Sequence, residues 1–225
     1  MNELFYSAAF GLSLSVAAYW LGTTIQKMTG LVIFNGLIIA GVLIIALLLA
    51  FDIPFEAYNV GGSLISAFMT PLTVVLAISI YENRALLKKR LLPVVVGCIV
   101  GAVTATFSGY FLCRLLGLDD VMTMSLLPKS VTTPVALSIS NEKGGLASIT
   151  MAAVVLTGVG GNLLAPLLCK LFRTQGPTES GLAIGACSHA VGTARAMEMG
   201  KEIGAMSGLA LSLCAIITSI VVLFI

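Results

Sequence analysis

Two polar interruptions of otherwise apolar segments contain the residue types that could bind or move a charged solute. The first is SLLPKSVTTP at 125–134, where one lysine lies between two prolines six residues apart. Each proline removes a backbone donor and clashes with the preceding turn, so the spacing predicts a helix that opens around 129–133. In a membrane, such open backbone is tolerated only where protein or an aqueous cavity surrounds it.

A lysine, several hydroxyl groups and the start of a half-helix together offer the chemistry of an anion site. The amides and the positive dipole end of a helix N-terminus attract negative charge, as an ammonium group does. The predicted anion-binding residues of this interruption are Lys129, Ser130, Thr132, Thr133 and Pro134. The alternative is that Lys129 reaches an interface and the prolines only kink the helix. A lysine at membrane depth costs about 2.5–3.5 kcal/mol, which favours a functional reason for keeping it.

The second interruption is GACSHAVGTARAME at 185–198, and it holds the only histidine of the chain. Helical spacing predicts that residues 185, 188, 189 and 192 share one face, where two glycines would let a ligand lie close. His189 is a candidate proton carrier because histidine titrates near physiological pH, although a lone histidine is also often a core residue. Arg195 and Glu198 either neutralise each other or join the site. The predicted substrate-binding residues here are Ser188, His189, Gly192, Thr193 and Arg195.

A third and weaker candidate is the proline break at 70–73, which together with Asn35 of the second predicted helix could supply polar groups opposite Lys129. Its predicted substrate-binding residues are Asn35, Thr70 and Thr73. The sequence contains no nucleophile–base pair, phosphate-binding loop or cluster of metal-ligand types. We therefore predict no enzymatic activity, no catalytic residue, no metal and no cofactor.

The elements that must position these groups are membrane helices. Only 10% of the residues are charged and the mean hydropathy is +1.08, whereas soluble domains carry about 25% charged residues. Six stretches of 23 to 26 residues contain no Asp, Glu, Lys or Arg, which is enough to cross the hydrocarbon core as a helix. These stretches are 4–26, 28–51, 57–81, 91–113, 144–169 and 203–225. Two interrupted elements, 121–141 and 180–200, bring the total to about 7–8 membrane segments.

The predicted fold is therefore an all-α polytopic membrane bundle with two or more broken or re-entrant helices. We treat residues 1–225 as one integral membrane domain, with an N-terminal half at 1–118 and a C-terminal half at 119–225. A faint similarity between 70–79 and 133–140 is compatible with a repeat. Such a repeat, if inverted, is typical of transporters with broken helices at the interface of two halves. Gly97, Gly101 and Gly204 belong to small-residue stripes suited to close helix packing.

Loop charges predict the orientation through the positive-inside rule. The acidic loops at 52–60 and 117–121 are expected outside, and the basic loop at 82–92 inside, so the N-terminus is predicted outside. If 121–141 crosses the membrane, Lys170 and Arg173 fall outside; if it enters and returns, they fall inside as the rule prefers. The sequence leaves this open. The net charge of +2 gives no indication of a nucleic-acid partner.

Both interruptions also carry a family resemblance. The strings SLLPKSVTTPVALSIS (125–140), GLAIGACSHAVGTARAMEMG (181–200) and GAMSGLALSL (204–213) closely resemble the LrgB/CidB family. One departure is Asn35-Gly36, where the family pattern is Asn-Pro. The resemblance implies a bacterial inner (cytoplasmic) membrane protein that works with a smaller LrgA/CidA-type membrane protein. It also implies an architecture similar to the cation–proton antiporter and anion transporter group.

The resemblance implies two different functions. Family members are described as antiholin-like or holin-like modulators of murein hydrolases and autolysis, and plastid relatives resemble transporters of glycolate, glycerate or pyruvate. The residues favour transport of a small monocarboxylate, because a costly intramembrane lysine has no role in simple oligomerisation. The sequence leaves open whether this transport is coupled to H⁺. The alternative is a holin-type or antiholin-type regulator that acts by assembly. A homodimer is expected in either case.

Overall fold

The structure is a computed structural model that describes residues 5–29, 36–68, 71, 78, 81, 84–174 and 176–225. Within these ranges every regular element is helical and no strand occurs, as the all-α prediction requires. The chain forms two compact units, residues 1–71 and residues 72–225. Asn35, Thr70 and Thr73 lie outside the described residues.

The first unit consists of three helices that approach one another at glycines. They are α1 (Ala8–Thr29), α2 (Gly36–Ala50) and α3 (Phe55–Ala67). A Cβ atom on Gly11 of α1 would lie 2.9 Å from the Cα atom of Gly61 of α3. The two backbones therefore touch. Helices often pack in this way in lipid, because no hydrophobic effect drives them together there and close contact between small residues does.

The second unit contains the two interruptions that the sequence singled out. Its elements are α4 (Arg84–Lys89), α5 (Leu91–Leu115), α6 (Asp120–Leu126), a 3₁₀ turn (Leu127–Ser130), α7 (Thr133–Glu142), α8 (Ala147–Leu171), α9 (Pro177–Met199) and α10 (Lys201–Leu223).

Four of the described helices, α1, α5, α8 and α10, are long and apolar enough to span a bilayer. They account for four of the six charge-free stretches, while α2 is apolar but has only 15 residues. The stretch at 57–81 falls partly outside the described residues. In the most apolar 18 residues of α10, 56% of the residues are buried, against 22% for α5 and α8, so α10 is the most buried of the spanning helices.

The segment 120–142 folds as a hairpin, which we call the first hairpin. The helix is interrupted where the prolines predict, because Val131 and Thr132 are extended between the 3₁₀ turn and α7. The chain that leaves the hairpin passes beside Ser125: the Leu146 amide donates to Ser125 Oγ at 2.7 Å. Thr150 Oγ1 of α8 donates to Ser140 Oγ of α7, also at 2.7 Å. The chain therefore reverses direction between α6 and the start of α8.

The helix α9 also reverses, forming a second hairpin at 177–199. His189 has φ 42° and ψ −144°, a conformation that L-residues rarely adopt, and it divides α9 into two limbs. A Cβ on Gly192 would lie 3.3 Å from Ile184 Cγ2, although eight residues of straight helix rise about 12 Å. The prediction that residues 185, 188, 189 and 192 share one helical face is therefore wrong, because the bend at His189 separates Gly192 from Gly185.

The two hairpins approach each other from opposite ends of α8. The first hairpin is closed at the start of α8, near Leu146, and the second begins after its end, where Thr174 Oγ1 and Ser180 Oγ lie 2.7 Å apart. The tips meet near the middle of α8. Val131 of the first tip shares a buried cluster with Val154, whose carbonyl oxygen also contacts His189 of the second tip.

Replacing Ser125 with alanine should loosen the base of the first hairpin. The change removes the acceptor of the Leu146 amide, and an unmet hydrogen bond of this kind costs about 1–3 kcal/mol. We expect a lower melting temperature of the purified protein. Ser138→Ala is the matched control, since Ser138 is exposed on α7 and should melt like the wild type.

Candidate functional site

Lys129 lies in the 3₁₀ turn at the tip of the first hairpin, partly buried. Its ammonium group rests against α5 at Gly109, where an added Cβ atom would be 2.9 Å from Nζ. Among the described residues no carboxylate lies within ion-pair distance of Nζ; the two ion pairs there involve Arg114 and Arg195. The lysine charge is thus unpaired where the tip of the first hairpin meets α5.

Thr132, three residues after Lys129, has a hydroxyl group that makes no hydrogen bond among the described residues. The residue is only 7% exposed. It occupies the cap position of α7 without capping it through its side chain, and Pro134 follows in the first turn. The first amides of α7 have no intrahelical acceptor. Buried polar groups of this kind normally find a partner, so a ligand would satisfy them.

His189 forms the tip of the second hairpin and is 3% exposed. Its Nε2 lies 2.7 Å from the carbonyl oxygen of Val154. A carbonyl can only accept, so Nε2 carries the hydrogen and the neutral ring keeps a lone pair on Nδ1. The ring fits because Gly158 has no side chain: a Cβ there would lie 2.7 Å from Nε2. Protonation of Nδ1 would leave the hydrogen bond from Nε2 to α8 in place.

The neighbours of His189 tie the tip to the surrounding helices. Thr193 Oγ1 donates to the His189 carbonyl oxygen at 2.9 Å and lies 2.8 Å from Ser207 Oγ of α10. The single hydroxyl hydrogen of Thr193 is used, so Ser207 is the donor in that pair. Ser188 is 3% exposed and lines a cavity of about 500 Å³ against α8. Gly192 lies against Ser188, where an added Cβ would be 3.1 Å from its Oγ.

Arg195 is held on the returning limb by Glu198. Its Nη1 donates to Glu198 Oε2 at 2.6 Å, as the i, i+3 spacing allows. Arg195 and Glu198 therefore neutralise each other, which is one of the two possibilities that the sequence left open. The Nε–H of Arg195 is buried and makes no hydrogen bond among the described residues.

The structure separates the predicted site residues into two groups. One group is on the first tip and comprises Lys129, Ser130, Thr132, Thr133 and Pro134. The other is on the second hairpin and comprises Ser188, His189, Gly192, Thr193 and Arg195. The 3₁₀ turn of the first tip contacts α9, so the two groups belong to neighbouring elements. The third predicted site has no structural description, because its residues lie outside the described ranges.

Comparison with known proteins identifies the family. The profile of the LrgB-like family matches residues 15–225, which include both hairpins. The chain belongs to the LrgB-like family. It is 36% identical over 214 residues to the antiholin-like protein LrgB of Bacillus mycoides (strain KBAB4), covering 95% of this chain and 93% of the relative.

Other relatives are similar over the same extent. The antiholin-like protein LrgB of Bacillus cereus (strain B4264) is also 36% identical over 214 residues, with the same coverage. The uncharacterized protein YxaC of Bacillus subtilis (strain 168) is 34% identical over 206 residues, covering 92% of this chain and 90% of the relative. No solved structure matches the chain. With four helices able to span a bilayer, this LrgB-like chain is a multi-pass membrane protein.

Sequence reasoning missed the residues of α8 that receive the second tip of this LrgB-like protein. Gly158 accommodates the imidazole of His189, and Gly161 accommodates Ser188, whose atoms would overlap a Cβ placed there. Val154 supplies the carbonyl that fixes the ring. The available signal was the run Gly158-Val159-Gly160-Gly161 in the middle of a spanning helix, since clustered glycines often mark close backbone approach.

Replacing Gly109 with valine should displace the ammonium group of Lys129. Even one carbon atom at this position would approach Nζ to 2.9 Å, and a valine side chain is larger. If Lys129 binds a transported anion, uptake of that anion should weaken about tenfold, the effect of roughly 1.4 kcal/mol lost in binding. Uptake into proteoliposomes is the measurement. Gly160→Val is the control, because an added Cβ there meets nothing within 4 Å.

Proposed function

We propose that this LrgB-like protein carries a small organic anion, a monocarboxylate such as pyruvate, glycolate or glycerate, across the membrane. The observation that carries the proposal is the unpaired ammonium of Lys129 at the tip of the first hairpin. The unpartnered hydroxyl of Thr132 and the amide end of α7 follow it directly. A carboxylate would satisfy all three groups at once.

The cost of the lysine supports this proposal. A cationic side chain at membrane depth is unfavourable by about 2.5–3.5 kcal/mol on insertion scales. Lysines that have a structural reason to be there usually pair with a carboxylate or with backbone carbonyls. Lys129 has no such partner among the described residues. An anionic solute is the simplest group that would pair with its charge.

The arrangement of the hairpins supports alternating access to that site. Each hairpin is followed by a spanning helix, α8 after the first and α10 after the second, and the two hairpins enter from opposite ends of α8. In this proposal the two hairpin–helix pairs are related by inverted topology. The start of α7 and the limb that follows His189 then direct two helix N-termini toward the middle, as in transporters with broken helices.

Orientation follows from the same arrangement. With the first hairpin entering and returning, Lys170 and Arg173 lie on the same side as the basic residues of α4, which the positive-inside rule assigns to the cytoplasm. We place the chain in the bacterial inner membrane with about 7–8 membrane segments and the N-terminus outside. An LrgA/CidA-type partner, a homodimer and coupling to H⁺ through His189 belong to the same proposal.

The second candidate function is an antiholin-like regulator of autolysis, which the names of the LrgB relatives favour. Oligomerisation of such a regulator would need helix faces of small residues that do not already pack against other helices of the same chain. Gly97 and Gly101 of α5 instead meet Leu182 and Ala186 of α9, and Gly204 of α10 meets Met197. Substitutions at these glycines therefore test the packing of this chain, and an assembly role needs a different surface.

Uptake of labelled pyruvate, lactate, glycolate and glycerate into proteoliposomes tests the transport proposal. The measurement is made with and without the LrgA-type partner, and with and without a pH gradient. Saturable uptake of at least one of these acids is expected. If none enters under any of the four conditions while the protein remains folded, the regulator is the better proposal, and cross-linking for assemblies becomes the next measurement.

A further inference from the structure

An apolar groove runs along α8 beside the first limb of the second hairpin. Its volume is about 500 Å³. Along α8 the lining extends from Leu156 to Phe172, which corresponds to about 24 Å of helix. Gly160 and Gly161 lie within that length, and the other wall consists of side chains from 183–188. Leu156 and Phe172 are 68% and 73% exposed, so the groove opens to the surroundings of the protein.

The dimensions of the groove select a narrow occupant. A 24 Å length of an α-helix about 10 Å wide fills roughly 1,900 Å³, well above the volume of the groove. A helix of a partner or of a second copy would therefore lie on the groove without entering it. An extended hydrocarbon chain is much narrower than a helix. The only hydroxyl-bearing residues of the lining are Thr157, Thr174 and Ser188, and the rest of the lining is Gly, Ala, Cys or larger apolar side chains.

The charges at one end of the groove select the head group. Phe172 and Thr174 line that end, and Arg173 lies between them, with Lys170 in the last turn of α8. Both cations are exposed, and neither is in an ion pair among the described residues. The nearest carboxylate in the sequence, Glu179, folds back against Gly176 at the start of its own helix, where the helix dipole favours it.

We propose that the groove binds one acyl chain of an anionic phospholipid, with the phosphate group held by Lys170 and Arg173. Cations near the membrane surface attract anionic head groups, and arginine pairs with phosphate through two parallel hydrogen bonds. The chain would lie over Gly160 and Gly161 and end near Ser188, next to the bend at His189. This site is separate from Lys129 and does not depend on anion transport.

Quenching of tryptophan by brominated acyl chains tests the proposal on the full-length protein. Trp20 is the only tryptophan, so Trp20→Phe gives a silent background. Leu164→Trp then reports on the groove, and Leu167→Trp reports on the same helix outside the groove lining. We expect half-maximal quenching at 164 to need about 30-fold less brominated phosphatidylglycerol than brominated phosphatidylcholine, the factor that two basic residues supply. At 167 the two lipids should quench equally.

Two further variants separate the acyl chain from the head group. Gly160→Leu should fill the groove and reduce quenching at 164 by both lipids, whereas Gly41→Leu, at another glycine with open space, should not. Lys170→Gln with Arg173→Gln should abolish the preference for phosphatidylglycerol, and Lys88→Gln with Lys89→Gln should retain it. Equal quenching by the two lipids at position 164 of the otherwise unchanged protein would overturn the proposal. So would an absence of quenching there, because it would mean that protein covers the groove.

Discussion

Lys129→Ala should reduce the affinity for a transported monocarboxylate by about 10- to 100-fold. Hydrogen bonds to a charged group are worth about 1.5–3 kcal/mol, and 1.4 kcal/mol corresponds to a factor of ten. The ammonium group has no protein carboxylate to pair with among the described residues, so in our proposal the solute is its partner. The measurement is the concentration dependence of uptake into proteoliposomes.

The stability of the same variant distinguishes a binding role from a structural one. Removing an unpaired, partly buried charge from the tip of the first hairpin relieves a cost, so the melting temperature should be unchanged or higher. Lys143→Ala is the matched control, because this lysine lies just beyond α7 at the outer end of the same hairpin and should leave uptake unchanged. A Lys129→Ala protein that transports with wild-type affinity, or one that unfolds, would contradict the site.

The first hairpin shows how much could be predicted from sequence. Two prolines and a lysine within ten residues predicted the opening of the helix, and the structure has its extended residues at Val131 and Thr132. Backbone chemistry decides this locally, because proline cannot donate. Whether the segment crosses or returns depends instead on long-range hydrogen bonds, such as that between Leu146 and Ser125, which no local pattern encodes.

The second hairpin shows why the rest could not be predicted. His189 adopts a positive φ, although it is neither a glycine nor next to a proline or glycine that would indicate a bend. The spacing of the residues around it therefore predicted one continuous helical face. The bend is stabilised from outside its own segment. The carbonyl of Val154 accepts from the ring, and Ser207 bonds to Thr193 behind it. Strained backbone of this kind persists only where the surroundings determine it, and it is often found at functional sites.

In our proposal, the parts that move in a transport cycle are the two hairpin tips and the stretch of α8 that they contact. Gly158 and Gly161 let the second tip lie directly on the backbone of α8, and Val154 contacts both tips through its side chain and its carbonyl oxygen. A change at either tip is therefore transmitted to one short stretch of α8. In our proposal, an anion bound at Lys129 would act on this stretch from one side, and a proton on His189 would act on it from the other.

Gly158→Ala should destabilise the protein by about 2–4 kcal/mol. The new methyl group would overlap the imidazole of His189, and overpacking of this kind costs about 1–3 kcal/mol. The displaced ring would also lose its hydrogen bond to Val154, worth about 0.5–1.5 kcal/mol. Gly160→Ala is the control: its methyl group meets nothing, so the protein should be as stable as the wild type or slightly more so.

A double-mutant cycle tests whether the overlap with His189 is the cause. If it is, adding His189→Ala to Gly158→Ala removes the overlap, and the double variant should be more stable than the sum of the single effects by about 1–3 kcal/mol. Unfolding in mixed micelles supplies the four free energies of the cycle. Additive effects would mean that the ring does not lie on Gly158. The reversal of α9 would then need another support, because the contact of His189 with α8 is what joins the tip of the second hairpin to the helix that both hairpins share.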